Sequence, residues 1–461
     1  MADPSPAHAP DVHAQDLSSL DQLLIPFHEA MKPTERHRIG AEAEKFGVDA
    51  TTGAPIPYEG ERSVVTILET LMARHGWKAE HETPGGPLIM LVRAGASVTL
   101  EPGGQLELSG APLENTHQIC SEMSGHLAEL RDISNELGIM WLGVGFHPFA
   151  TQAQLVSSRV PKQRYAIMRR YLPTRGTHGL DMMQRTATVQ ANYDYIDEED
   201  ALRKLRVALR LSPVTTAIFA NSPFYEGRLW GGRSYRAKVW LSVDPDRQGL
   251  LGPVLERGRR FQDYIEWALD APMFLVKRGA EVIENTGQSF RSFMKHGFRG
   301  HRPNLKDWET HLNTIFPEVR LKRTLEIRGA DSLPASLICA LPALWTGILY
   351  DERALAQAEE LTASYTAAEL EALRPHIGEK ALQATFQGAP LADLAERVLD
   401  IASGGLERRA RLNKNGKDER VHLTKIIALV EKGWCPADAL VDGLGNGDED
   451  LRREILARTR I

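Results

Sequence analysis

The sequence predicts a mixed α+β protein, and three observations carry that expectation. Stretches that alternate polar and apolar residues, as half-buried strands do, gather in the first three quarters of the chain. The last quarter instead repeats apolar residues at helical spacing. Four of the strand-like stretches also put the same residue types, Glu, Gln and Asn, on one face.

Taken in order, the chain opens with "MADPSPAHAPDVHAQDLSSL", rich in Pro, Ala and Asp, which reads as a disordered leader over residues 1–20. It lacks the basic head and apolar core of a secretory signal and is acidic for a transit peptide, so the expected location is cytoplasmic. Residues 21–461 show no linker and are expected to form one domain, mainly helical from about residue 341. In "RIGAEAEKFG", Glu42 and Glu44 share one strand face while Ala41 and Ala43 share the other. Two neighbouring carboxylates repel unless a positive partner sits between them.

"SVTLEPGGQLELSG" predicts a hairpin turning at Pro102-Gly103-Gly104, with Glu101 opposite Gln105 and Glu107 diagonal to Glu101 on the polar face. Helices are expected over Glu114–Leu137, Glu199–Leu211 and Phe261–Leu269. "TATVQANYDY" sets Gln190 and Asn192 on one face, and "RTLEIRGAD" does the same for Glu326 and Arg328. Such oxygen donors suit Mg²⁺ or Mn²⁺, ions that are usually shared with substrate phosphates. Neither GxxxxGK[ST] nor GxGxxG occurs, so an acidic sheet with arginines would have to hold a nucleotide.

The formal charge of −6 argues against nucleic acid as a partner. No apolar run approaches the ~20 residues that cross a bilayer, so no membrane partner is expected. The three cysteines, Cys120, Cys339 and Cys435, match no zinc spacing and read as buried reduced thiols.

The blocks "IGAEAEKFG", "LEPGGQLELSGAPLENTHQIC", "RYAIMRRYLP", "GLDMMQRTATVQANYDY", "FANSPFYEG", "TIFPEVRLKRTLEIRGAD" and "CALPALWTGILYDE" occur in an order that resembles plant-type glutamate–cysteine ligases. The resemblance spans roughly Ile39 to Leu406 and looks like a bacterial-length member. It implies a catalytic fold similar to that of glutamine synthetase: a curved antiparallel sheet cupping the active site, backed by helices. The implied reaction joins the γ-carboxyl of L-glutamate to the amine of L-cysteine through a γ-glutamyl phosphate, cleaving ATP to ADP and phosphate. It implies more than one Mg²⁺, with Mn²⁺ as the alternative, held by Glu42, Glu44, Glu101, Glu107, Gln190, Asn192 and Glu326.

Arg164 and Arg236 match the family's glutamate clamp, for which a planar guanidinium is suited. Lys45, Arg323 and Arg328 are the candidates for ATP phosphates, although alternation puts Arg323 opposite Glu326. "NSPFYEGRLWGGRSY" has the Gly-rich character of a segment that closes over glutamate. The resemblance also revises the thiols. Cys120 and Cys339 match a disulfide pair, Cys435 stays free, and a second pair is absent because Asn285 stands at one of its positions. A modest redox effect and a monomer or redox-linked homodimer are the matching expectations. The alternatives are a glutamate ligase with another amine acceptor, and a catalytically silent paralogue.

Overall fold

The computed structural model describes residues 13, 15–83, 85–256, 258–444 and 448–461. Nine strands form one sheet: β1 (Ile39–Asp49), β2 (Lys78–Ala79), β3 (Met90–Arg93), β4 (Ala96–Leu100), β5 (Leu106–Ser109), β6 (Ile139–Leu142), β7 (Val189–Tyr193), β8 (Val319–Leu321) and β9 (Leu325–Ile327). Their order is β8-β9-β7-β1-β5-β4-β3-β2, with β6 on the far end of β1, and every pairing is antiparallel. The acidic alternation of β1 therefore lies mid-sheet, flanked on both sides.

The helices used below are α1 (Val64–His75), α2 (Thr116–Leu137), α3 (Gln163–Tyr171), α4 (Glu198–Ile218), α5 (Tyr235–Val239), α6 (Ala340–Leu349), α7 (Ala367–Lys380) and α8 (Leu391–Arg409). Asn115 caps α2 by accepting from Gln118 N, and Gly138 ends it in the left-handed conformation, so the helix starts two residues later than expected. α2 and α6 pack on the face of β1 that carries Ala41 and Ala43, whose small side chains let the helices approach. Tyr193 reaches from the same face to donate to Pro342 O at 2.8 Å. All ten residues of α6 are buried, as an all-round apolar helix requires. Truncating its Trp345 to Ala would cost about 3–5 kcal/mol.

Among the described residues after Ala340 the chain is mainly helical, interrupted by one small strand pair, Thr385–Phe386 with Ala389–Pro390. Of the leader expected over 1–20, residues 1–12 and 14 lie outside the described residues. Leu17 is not free of the fold: its N donates to Pro303 O at 2.8 Å beside the bridge Asp16–Asn304, so order begins earlier than composition suggests.

Candidate active site

Strand register builds the site. Glu42 stands directly opposite Gln190, Glu44 opposite Glu107, and Glu326 opposite Asn192. The turn between β4 and β5 closes with Glu101 N donating to Gln105 O and Gly104 N to Glu101 O, both at 2.9 Å. Glu101 thus joins Glu107 on the same polar face, diagonal to it. Five carboxylates, from β1, β5, β9 and the β4–β5 turn, converge on a face whose reverse side is helix-backed core.

Their electrostatics show an unmet need for positive charge. Burial, together with Glu107 and Glu326, pushes the Glu42 carboxyl up to about 7. Burial and Glu101 push Glu107 to about 7 as well, against the hydrogen bond from Ser109. Glu44 is raised well above the ordinary range by burial and by Glu101 and Glu107. Like carboxylates this close cannot all ionise without a counter-charge. This donor set, oxygen only and mutually repelling, fits hard divalent cations.

Glu326 is different. Burial disfavours its charge, but Arg320, Lys322 and Arg328 outweigh that and hold its carboxyl well below the usual range. Arg320 grips it bidentately at 2.7 and 2.8 Å, Lys322 lies at 3.0 Å, and Arg328 at 2.5 Å. Arg328 also donates to Gln190 Oε1 at 2.8 Å. Glu326 and Gln190 therefore sit at the seam between the acidic cluster and a cationic one.

Beside the carboxylates a cavity is lined by Glu44, Glu101, Arg164, Arg236, Trp240 and Arg328, among others. Arg164 sits on α3, which Tyr165 pins to the hairpin by donating to Leu100 O at 3.0 Å. Arg236 sits on α5, whose first turn is capped by Ser234 accepting from Ala237 N at 3.0 Å. Its Nη atoms donate to Gly329 O and Arg328 O at 3.0 and 2.8 Å, and buried Asp331 stands 4.0 Å away. The Nε atoms of both arginines and Nε1 of Trp240 are buried with no hydrogen-bond partner among the described residues. Unsatisfied buried donors in one cavity suit an anionic ligand. A second cavity shares Arg236, Trp240, Phe316 and Arg328 with the first and adds the Glu318–Arg374 pair, 2.8 Å apart.

Three expectations need correction. Lys45 lies on the helix-backed face of β1, fully buried, donating to Ala43 O and Leu106 O at 2.9 and 3.3 Å. It cannot meet phosphates on the opposite face. Arg323 lies outside the strands, half exposed, paired with Glu29 and Glu309. Asn192, expected to offer its oxygen to an ion, donates its amide nitrogen to Glu42 at 2.8 Å and accepts from the Thr324 hydroxyl at 3.2 Å, and so positions Glu42 instead. The cations beside Glu326 that sequence reasoning missed are Arg320 and Lys322. Parity with Glu326 across the β8–β9 turn is the signal that would have found them.

The Gly-rich segment is tied down at both ends. Ser222 and Ser234 both donate to Asp331, at 2.7 and 2.9 Å. Cys120 and Cys339 form a disulfide, which replaces the reading of both as reduced thiols; Cys435 is free and buried.

Residues 38–457 match the family described as Glutamate-cysteine ligase family 2. The chain is 43% identical to glutamate–cysteine ligase B, chloroplastic, of Oryza sativa subsp. japonica, over 92% of this chain and 83% of that protein. It is 41% identical to the chloroplastic glutamate–cysteine ligase of Arabidopsis thaliana, over 96% of this chain and 83% of that protein. In structure it is similar to the glutamate–cysteine ligase of Francisella tularensis in complex with AMP, with a TM-score of 0.54 at 10% identity, covering 92% and 88% of the two chains. The cytoplasmic expectation is not upheld: the relatives at 41–43% identity are named as chloroplastic enzymes. No described helix is long and apolar enough to cross a membrane.

Proposed function

The chain belongs to glutamate-cysteine ligase family 2, and we propose that its acidic sheet face is where glutamate is activated for ligation to cysteine. The enzyme is an ATP-dependent ligase that joins the γ-carboxyl of glutamate to the amine of cysteine, the first step of glutathione biosynthesis. The observation that carries the assignment of the site is the set of carboxylates Glu42, Glu44, Glu101 and Glu107, three of them pushed up in pKa and facing two arginines with buried unpartnered donors.

Glutamate's γ-carboxylate must attack the γ-phosphoryl of ATP, and both are anions. Mg²⁺ ions held by Glu42, Glu44, Glu101 and Glu107, with Gln190 and Glu326 at the seam, would supply the neutralising charge. Arg328 and Lys322, gathered beside Glu326, would take the phosphates, while buried Arg320 holds Glu326 in place. Arg164 and Arg236 take the α-carboxylate of glutamate, and their fixed positions hold its γ-carboxylate towards the carboxylate-lined side of the cavity.

The attack forms a bond between a carboxylate oxygen and phosphorus and breaks the bond to ADP. The cysteine amine then attacks the acyl carbon and phosphate leaves. The adjoining cavity suits that amine substrate: Glu318 and Arg374 offer one charge of each sign to a zwitterion, and Leu250, Phe316 and Ile377 offer apolar wall for a thiol. The Cys120–Cys339 bridge makes a modest redox effect on this activity part of the reading.

The test is ADP release with Mg²⁺, ATP and glutamate, comparing cysteine, other small amino acids and no amine, with products weighed. Cysteine-dependent γ-glutamylcysteine is expected. Preference for another amine would overturn the acceptor, and ADP with none of them would overturn the ligase.

A further inference from the structure

The disulfide has a neighbour that the reaction does not use. His422 ends a short 3-10 turn, Glu419–His422, and its Nδ1 lies 3.4 Å from the sulfur of Cys120. Single ligand atoms of Cys120, Cys339 and His422 all lie within 4.8 Å of one another. Three distant parts of the chain meet here: α2, the first residue before α6, and the turn after α8.

Hydrogen bonding dictates which nitrogen of His422 is bare. His117 Nε2 lies 3.1 Å from Arg411 O, and a carbonyl only accepts, so Nε2 carries the proton. With the proton on His117 Nε2, its Nδ1 accepts from His422 Nε2, 2.9 Å away. Burial and His117 keep the His422 ring neutral, its pKa pushed down to about 4. Its remaining nitrogen, Nδ1, therefore aims a lone pair at Cys120 Sγ. A disulfide sulfur has no proton to give, so that lone pair is unpartnered in the oxidised protein.

The turn is held independently of the bridge. Buried Glu419 accepts from Thr116 N at 2.7 Å, at the first turn of α2, and also pairs with Arg409. A carboxylate at that helix end is favoured by the exposed N–H groups. Reduction leaves this anchoring in place, with His422 still aimed at the sulfurs.

We propose that, once the Cys120–Cys339 bridge is reduced, the two thiolates and Nδ1 of His422 bind one soft divalent cation, Zn²⁺ by its chemistry, and that the bound ion keeps the pair reduced. Reduction by a dithiol delivers two electrons and two protons to the S–S bond, giving two thiols and the dithiol's own disulfide. Binding the ion then forms two metal–sulfur bonds and one metal–nitrogen bond and releases the two thiol protons to water. Tetrahedral zinc needs sulfurs about 3.8 Å apart, from Zn–S bonds of about 2.3 Å. With the Cα atoms 5.8 Å apart, side-chain rotation alone supplies that separation. His117 is the partner that orients the ligating ring, as outer hydrogen bonds do at zinc sites. Water completes the fourth position, reached from the partly exposed side of Cys120 and His422.

The protein is reduced with a phosphine, freed of reductant without oxygen, and titrated with Co²⁺ under excess Mg²⁺ so that the carboxylate cluster is occupied. The expected result is one equivalent bound with a thiolate-to-cobalt charge-transfer band, absent from the oxidised protein and displaced by Zn²⁺. His422→Ala should weaken binding at least tenfold and His117→Ala by about ten- to a hundredfold, with Cys435→Ser without effect. Zn²⁺ should also slow return of the disulfide under mild oxidant. No band in the reduced protein, or a band of unchanged affinity in His422→Ala or Cys339→Ser, overturns the site. The oxidised–reduced comparison needs no variant, so a misfolded substitution does not blunt the test.

Discussion

At the scale of single residues, the acidic face trades stability for chemistry. A carboxyl whose folded pKa is raised binds more protons folded than unfolded. Its contribution is fully present below the ordinary value of 4.5 and is lost as pH rises through the raised value, about 7 for Glu42 and Glu107. With chelator present, these groups should lower the melting temperature as pH climbs across that window. On the proposed reading Mg²⁺ would replace the protons, so the stabilisation it confers should be small near pH 5 and large near pH 8; equal shifts at both would contradict the ion site. Glu44→Gln removes one of the repelling charges while its amide oxygen still accepts from Thr188 N, as the carboxylate does at 3.0 Å. We expect the chelated variant to melt higher at pH 8 and turnover to fall about a hundredfold, ~2.7 kcal/mol of transition-state stabilisation. Unchanged turnover in a folded variant would remove Glu44 from the site. These carboxylates were legible because strand alternation is short-ranged and strict. Lys45 was misplaced by attending to its charge rather than its parity with Ala41 and Ala43.

At the scale of elements, the β4–β5 hairpin decides where Glu101 points. Its tip leaves no room: a Cβ on Gly103 would stand 2.4 Å from Gln184 O and 2.8 Å from Gln184 Cα, both backbone. Gly104 is at φ +84° with Ser158 O 2.9 Å from where its Cβ would be, so only glycine sits there without strain. Gly103→Ala should push the tip away from the backbone at Gln184, shift Glu101, and lower turnover more than tenfold with a loss of several degrees in melting temperature. Melting and turnover like the parent's would show that the tip is loose. The hairpin register was readable from the sequence because its turn is local. For β8, three residues long, the signal lay in parity carried across its turn to β9, and Arg320 was missed for want of that step. The cationic half of the site was therefore the half that sequence reasoning left incomplete.

At the scale of the whole molecule, one covalent bond joins α2 to the start of α6, two helices that back the same sheet. The bridge closes a loop of 219 residues. In the chain-entropy view such a loop destabilises the unfolded chain by about 5 kcal/mol, roughly the top of the range seen for disulfides. A chain of 461 residues has an unfolding entropy of about 1 kcal/mol/K at ~2.1 cal/mol/K per residue. Reduction should therefore lower the melting temperature by at most about 5 °C, a modest shift for so long a loop, because the rest of the core is large. The pairing itself was out of reach of spacing rules, since its partners lie in different thirds of the chain, and only resemblance to a family suggested it. Melting the oxidised and reduced protein with chelator present, so that the thiols stay free of metal, measures the bridge alone. A fall much beyond 5 °C would mean that the bridge also holds α6 in register against β1 and β7. Activity should then fall with it, because those two strands carry Glu42, Glu44 and Gln190.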